Sequence, residues 1–291
     1  MATVDTVDVR IYEPHKGGLP RLRDYFNEAI QRRHFAVELS KAEMKAANSD
    51  TVFGRLWLLL NPILTAGIYF MLVIIIGGGK KGPDFFVHLV AALFAFQFVQ
   101  GAMSAGASSV VGGGKLVLNT SFPLILLPTS AMRTSLNKFL PTLAIFAAFF
   151  VYFSTFAPKT EFNTLHFSWN QLWAVPALGL IIVFTAGMTL LMATVQVYFR
   201  DITSFLPYVT RMWLYLSPVL YFADQMKPWM LKFEIFNPLF PLLAIWGNAL
   251  VRDEGSPLSW WLMGIAWSFG IFVFSLWLFL TREREFPVRI S

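Results

Sequence analysis

The run LWLLLNPILTAGIYFMLVIII, Leu56 to Ile76, holds 21 consecutive residues without Asp, Glu, Lys or Arg. Wound as a helix it is about 31 Å long, the thickness of the hydrocarbon core of a bilayer. Five more apolar runs follow at about 85–111, 136–156, 172–199, 202–222 and 259–280. The sequence therefore predicts an all-α integral membrane protein of six spans. The whole composition agrees: 56% of the 291 residues are hydrophobic and 14% charged, against about a quarter charged in soluble domains. The 48 aromatic residues exceed what a water-facing surface could hide.

The charges place the ends of the chain. Lys and Arg number 16 over 1–55, 112–138, 200–201 and 281–291, against 6 over 77–84, 157–171 and 223–258, with Arg211 inside span five. The bias toward positive charge inside predicts both termini in the cytoplasm. The net charge of +6 then reads as attraction to anionic lipid rather than to nucleic acid. With no Cys and four scattered His, neither a metal site nor a bound cofactor is expected. The first 50 residues are charged throughout, so no cleavable leader is expected.

Between the spans, 1–20 reads as a cytoplasmic tail and 21–50 as an amphipathic helix on the inner leaflet. Leu22, Phe26, Ala29, Ile30 and Val37 share one face of it; an ordinary soluble helix is the alternative. The transmembrane domain, 51–280, is interrupted by a glycine turn and elbow at 112–128 and by a segment at 223–251. That segment is broken at Lys227-Pro228, Asn237-Pro238 and Pro241, and its pieces are too short to span, so re-entrant gate helices are expected. Residues 281–291 form a second cytoplasmic tail.

Chemistry-bearing motifs are few. Gly77-Gly78-Gly79-Lys80 and Gly112-Gly113-Gly114-Lys115 lack the spacing and the Ser/Thr of a phosphate-binding loop, so ATP used by this chain must bind another polypeptide. No Asp or Glu lies in a span, which argues against an embedded enzyme such as a glycosyltransferase. Trp57, Asn61, Thr65 and Tyr69 form one stripe at helical spacing; Phe205, Tyr208, Met212 and Tyr215 form another. Either they pack and sit in interfacial belts, or they line a path for a bulky amphiphile, their rings suited to sugar faces. Arg211, about 15 Å along its helix from Asp201, costs at least about 2.5–3.5 kcal/mol in lipid. It meets substrate phosphate or makes a structural bond. Gly101, Ala105 and Ser109, with Ala102 and Gly106 alongside, mark a close helix approach within the chain or at a dimer seam.

Five motifs in order resemble the ABC-2 type permeases. They are Gly54-Arg55-Leu56-Trp57 with Asn61-Pro62; Asn119 through Phe122-Pro123-Leu124 with Leu127-Pro128; Tyr198-Phe199-Arg200-Asp201-Ile202; Ser217-Pro218-Val219-Leu220-Tyr221; and Asn237-Pro238. Within that family the chain looks most like exporters of polysaccharide and polyol phosphate, that is, O-antigen, teichoic acid and capsule permeases. The resemblance implies a homodimer joined to two copies of an ABC ATPase subunit, which carries the ATP and magnesium, and a lipid-linked oligo- or polysaccharide as cargo. It implies channel lining by spans one and five, ATPase coupling by Asn119, Phe122, Pro123 and Leu124, and a gate containing Tyr221, Trp229, Asn237 and Pro238. Relatives often carry Phe-Arg where this chain has Trp246-Gly247. The basic, cysteine-free, alanine-rich sequence suits a high-GC bacterium and a cell-wall galactan. A drug or small-lipid exporter is the second reading, and a membrane scaffold without transport a third.

Overall fold

The structure, a computed structural model, describes residues 21–48, 52–77, 82–161, 163–226, 234–253 and 255–290. The tail 1–20, Gly78-Gly79-Lys80, Lys227-Pro228 and Trp229 lie outside the described residues.

Two helices, α1 (Leu22–Gln31) and α2 (Arg33–Asn48), stand where one amphipathic helix is expected. The break is at Arg32, whose side chain turns to the Ser121 carbonyl (2.8 Å) and to Glu28 (3.0 Å). Docking uses the small residues: Ala29 and Ala36 are buried against Leu126, whereas Leu22 and Ile30 stay exposed.

Five helices among the described residues are long and apolar enough to cross a membrane. They are α3 (Trp57–Gly77); α4 (Pro83–Gly112); α6 (Leu126–Val151), prolonged by a π-wound turn to Phe156; α7 (Ala174–Tyr198); and α10 (Leu258–Arg282). Between them come the short α5 (Gly114–Asn119), α8 (Ile202–Leu216) and α9 (Leu239–Gly247), and the chain ends in α11 (Phe286–Ile290). No strand is present among the described residues.

The fifth run, read as 202–222, differs. Its helix stops at Leu216, only about 22 Å long, because Ser217 turns extended ahead of Pro218, as residues before proline do. The chain then continues without helix through Ser217, Pro218 and Val219, all buried. In an apolar setting an unwound backbone needs partners from neighbouring elements, and it has them. The Asn237 amide donates to the Leu216 carbonyl (3.1 Å), and Nε2 of His88 stands 3.1 Å from the Tyr221 carbonyl, a bond that requires a proton on Nε2.

At the centre is α4, packed against α6, α7, α8 and α9. Its seam with α7 is set by Gly106: a methyl there would come 2.6 Å from the Thr189 carbonyl oxygen. Gly106 and Ala102 therefore make the close approach, within the chain, while Gly101 and Ala105 turn the other way toward a cavity. Gly187 brings α7 equally close to the Phe272 backbone on α10 (2.8 Å). All nine residues of α9 are buried. This helix is enclosed by α4, α7 and α10, and the Trp246 indole donates to the Ala91 carbonyl on α4 (3.0 Å). By contrast α3 lies at the edge, touching α4 and α6 with most of its length exposed.

Candidate functional site

Three places carry polar groups that an apolar bundle would not hold without cause. The first is the elbow at the basic end of the bundle. Here α5 and the turn after it run into α6, and the residues divide by depth. Asn119 is exposed beside Lys115, Leu118 and Thr120, its amide closing on the Lys115 carbonyl (2.8 Å). Pro123 and Leu124 are buried, and Phe122, half-buried, meets the Phe35 ring of α2 at 5.1 Å. So of the four residues expected to couple to an ATPase, one stands at the surface and three are anchors.

The anchors hold because the elbow is bound by both ends of the chain. Glu283, buried just past the apolar part of α10, accepts from the Leu124 amide at 2.5 Å and from the Tyr25 hydroxyl at 2.6 Å. Burial pushes its carboxyl up to about 7, against the two hydrogen bonds, which lower it. The Tyr25 hydroxyl is raised by burial and by this carboxylate. Beside them Tyr198 donates to Glu285 (2.7 Å) beneath the Arg289 guanidinium, 4.3 Å over its ring. The sequence reading missed Glu283. Its signal is a carboxylate between Arg282 and Arg284 directly after an apolar run, too common to stand out.

The second place is a cavity of about 450 Å³ between α3, α4 and α6. Trp57, Asn61 and Thr65 line it with Gln97, Gln100 and Lys138. Three of the four span-one stripe residues are thus brought together, but not with span five: α3 packs on α4 and α6, and α8 on α4 and α7. The two stripes meet only near Tyr69, which lies within electrostatic reach of Tyr215 and Arg211. Phe205, Tyr208, Met212 and Tyr215 are 47 to 69% exposed, and Arg211 is exposed on the same helix. A single chain therefore presents an uncovered aromatic face with one cation on it. Lys138 also escaped the sequence reading, which counts 112–138 with the charges of the basic side; α6 begins twelve residues earlier, at Leu126.

The third place is the opposite end. The Asn237 side-chain oxygen accepts from the Trp213 indole (2.7 Å) and from the Leu239 amide (3.1 Å). Pro238 precedes α9 as its cap, and the Tyr221 hydroxyl returns to the Leu216 carbonyl (2.9 Å). Of the residues expected at a gate, Tyr221, Asn237 and Pro238 thus cluster where α8 ends and α9 begins. Nearby Arg252 pairs with Asp224 and lies 4.2 Å over the Phe222 ring. Asp253, in a left-handed turn (φ 53°), accepts from Ser168, Asn170 (2.8 Å) and His166 (2.9 Å). Its carboxyl is held low, first by the Ser168 hydrogen bond. Among the described residues no group of three His, Cys, Asp or Glu could hold a metal ion.

A bundle of spanning helices, a tethered elbow at its basic end and a short enclosed helix at the other describe a membrane transport subunit. Residues 36–245 match the model of the ABC-2 type transporter family, and the chain belongs to that family. Similar proteins include two described as O-antigen export system permease protein RfbA of Klebsiella pneumoniae. One is 26% identical over 72% of this chain and 77% of its own length, the other 24% over 74% and 80%. A protein of the same description from Myxococcus xanthus is 23% identical over 90% of this chain and 98% of its own. Membership makes the chain an integral membrane subunit for transport and implies an ABC ATPase as partner.

Proposed function

We propose that this chain is the permease half of an ABC exporter that moves a lipid-linked polysaccharide, of the O-antigen, teichoic acid or cell-wall galactan type, out across the bacterial cytoplasmic membrane. Two copies pair with each other and with two ATPase subunits. Both termini lie in the cytoplasm, where basic residues gather. Six crossings result when α8 is completed by its unwound continuation, whose carbonyls Asn237 and His88 satisfy.

One observation carries the reading: the face of α8 on which Phe205, Tyr208, Met212 and Tyr215 stand uncovered with Arg211 among them. Bare lipid is a poor neighbour for a guanidinium. A lumen between two copies would hydrate the guanidinium, stack the rings on sugar faces and give passing phosphate a cation. Trp57, Asn61, Thr65 and Tyr69 approach the same path from α3. Asn119 and its exposed neighbours would seat on the ATPase, with Phe122, Pro123 and Leu124 as anchors. The turn at Tyr221, Asn237 and Pro238 would form the outer gate, to which the sequence reading adds Trp229. ATP-driven closure moves the permease only if the ATPase binds its two states with different free energies.

The test is to express the chain with its ATPase, purify the complex, and measure stoichiometry and ATP hydrolysis with and without lipid-linked glycan. A two-plus-two complex stimulated by glycan, with stimulation lost in Arg211→Gln at unchanged assembly, supports the reading. Stimulation by unrelated amphiphiles alone would make it a drug or small-lipid exporter.

A further inference from the structure

The cavity between α3, α4 and α6 has a chemistry of its own. The Asn61 amide, the Gln97 amide and the Lys138 ammonium all line it. None of the three side chains has a hydrogen bond or ion pair to a described residue. No carboxylate lines the cavity among the described residues. One fixed positive charge and two amides with free N–H groups make a cradle for an anion with several acceptor oxygens.

Depth narrows the class of anion. The charge-free stretch of α6 runs from Phe139 to Phe156, 18 residues, about 27 Å as helix and close to the hydrocarbon thickness. Lys138 stands at its inner end, level with lipid headgroups on the basic side. The outer wall is α3, the least enclosed span, so an acyl or prenyl chain can lie beside it while its head enters. Gln100, on the opposite wall, donates to Thr210 (3.0 Å), the residue before Arg211.

We propose that this cavity binds the phosphoryl headgroup of an inner-leaflet lipid, with Lys138 as the cation and Asn61 and Gln97 as donors. The phosphate can belong to a polyprenyl carrier or to a resident anionic phospholipid; the shared chemistry is a phosphoester on an apolar chain. The site stands on the cavity alone and requires neither ATP nor a glycan.

The experiment uses the full chain with its ATPase in nanodiscs of zwitterionic lipid. Binding of undecaprenyl phosphate, undecaprenol and phosphatidylglycerol is measured by native mass spectrometry and by competition with a fluorescent prenyl phosphate. Undecaprenyl phosphate should bind and undecaprenol should not. Lys138→Gln should weaken binding about tenfold or more, as expected when a charged partner is lost. Lys138→Arg should restore it, and Arg133→Gln, on the same helix outside the cavity, should leave it unchanged. Competition by phosphatidylglycerol assigns the site to resident lipid; its failure to compete assigns it to a prenyl carrier. Equal binding of undecaprenol, or no effect of Lys138→Gln in a complex that melts as wild type, overturns the proposal. Neither outcome touches the exporter reading, whose test is ATP hydrolysis with glycan.

Discussion

Leu124 and Glu283, 159 positions apart, are joined by a single hydrogen bond from a backbone amide to a buried carboxylate. That bond ties the elbow after α5 to the end of α10, and Tyr25 extends the tie to α1. The exposed residues around Asn119 thus sit on an elbow joined to α1, α6 and α10 together.

Removing the carboxylate should loosen this joint. Glu283→Ala leaves the Leu124 amide and the Tyr25 hydroxyl without their acceptor, at about 1–3 kcal/mol for each buried group stranded. A lower melting temperature in detergent is expected, together with faster hydrogen exchange over 120–126. Glu283→Gln, which keeps an acceptor oxygen, should lose less. Equal melting of Ala and wild type would refute the joint.

The same carboxyl predicts a pH dependence. Its pKa rises from the ordinary 4.5 to about 7 on folding, chiefly through burial. The folded chain then holds the proton more tightly than the unfolded one. This contribution to stability is complete below pH 4.5 and is lost as pH rises through about 7. Thermal melts from pH 4.5 to 8 should show a downward slope in wild type that Glu283→Gln flattens. Parallel slopes would remove Glu283 as the titrating group.

Two glycines five positions apart on α4 should respond oppositely to alanine. At Gly106 the new methyl meets Thr189 backbone, whereas at Gly101 nothing lies within 4 Å. Gly106→Ala should destabilise by about 1–3 kcal/mol through overpacking. Gly101→Ala should be neutral or stabilise by up to about 1 kcal/mol through helix propensity. Melting curves of the two variants decide it, and a destabilised Gly101→Ala would contradict the open cavity wall.

Asn237 bridges the end of α8 to the start of α9, so Asn237→Ala strands the Trp213 indole and leaves the Leu216 carbonyl with the Tyr221 hydroxyl alone. A loss of about 1–3 kcal/mol and a red-shifted tryptophan emission are expected. If emission and melting stay at wild-type values, the bridge is not formed in the membrane.

Hydropathy and charge made the five long helices, the elbow and the short piece before Arg252 legible in the sequence. Spans are specified by composition over some twenty residues, which a single chain displays in full. What escaped depends on one atom meeting another. The stop at Leu216 follows from Ser217-Pro218, quoted as a motif but not read as a break. The break at Arg32 depends on a carbonyl 89 positions away. Lys138 counts with the flanking charges in the sequence because helix α6 starts before its apolar stretch does. The aromatic stripes were recognised as special, but periodicity gives a direction around one helix and not the neighbour that occupies it.

The peripheral position of α3 bears on how the chain is made. Among the described spans it leaves the ribosome first, and its principal neighbours α4 and α6 are the next two in the chain. During that interval it must persist as a lone helix in lipid, which its unbroken charge-free run allows. Among the described spans, the first to be inserted therefore waits for the next two before it gains neighbours, and it ends as the least buried of them.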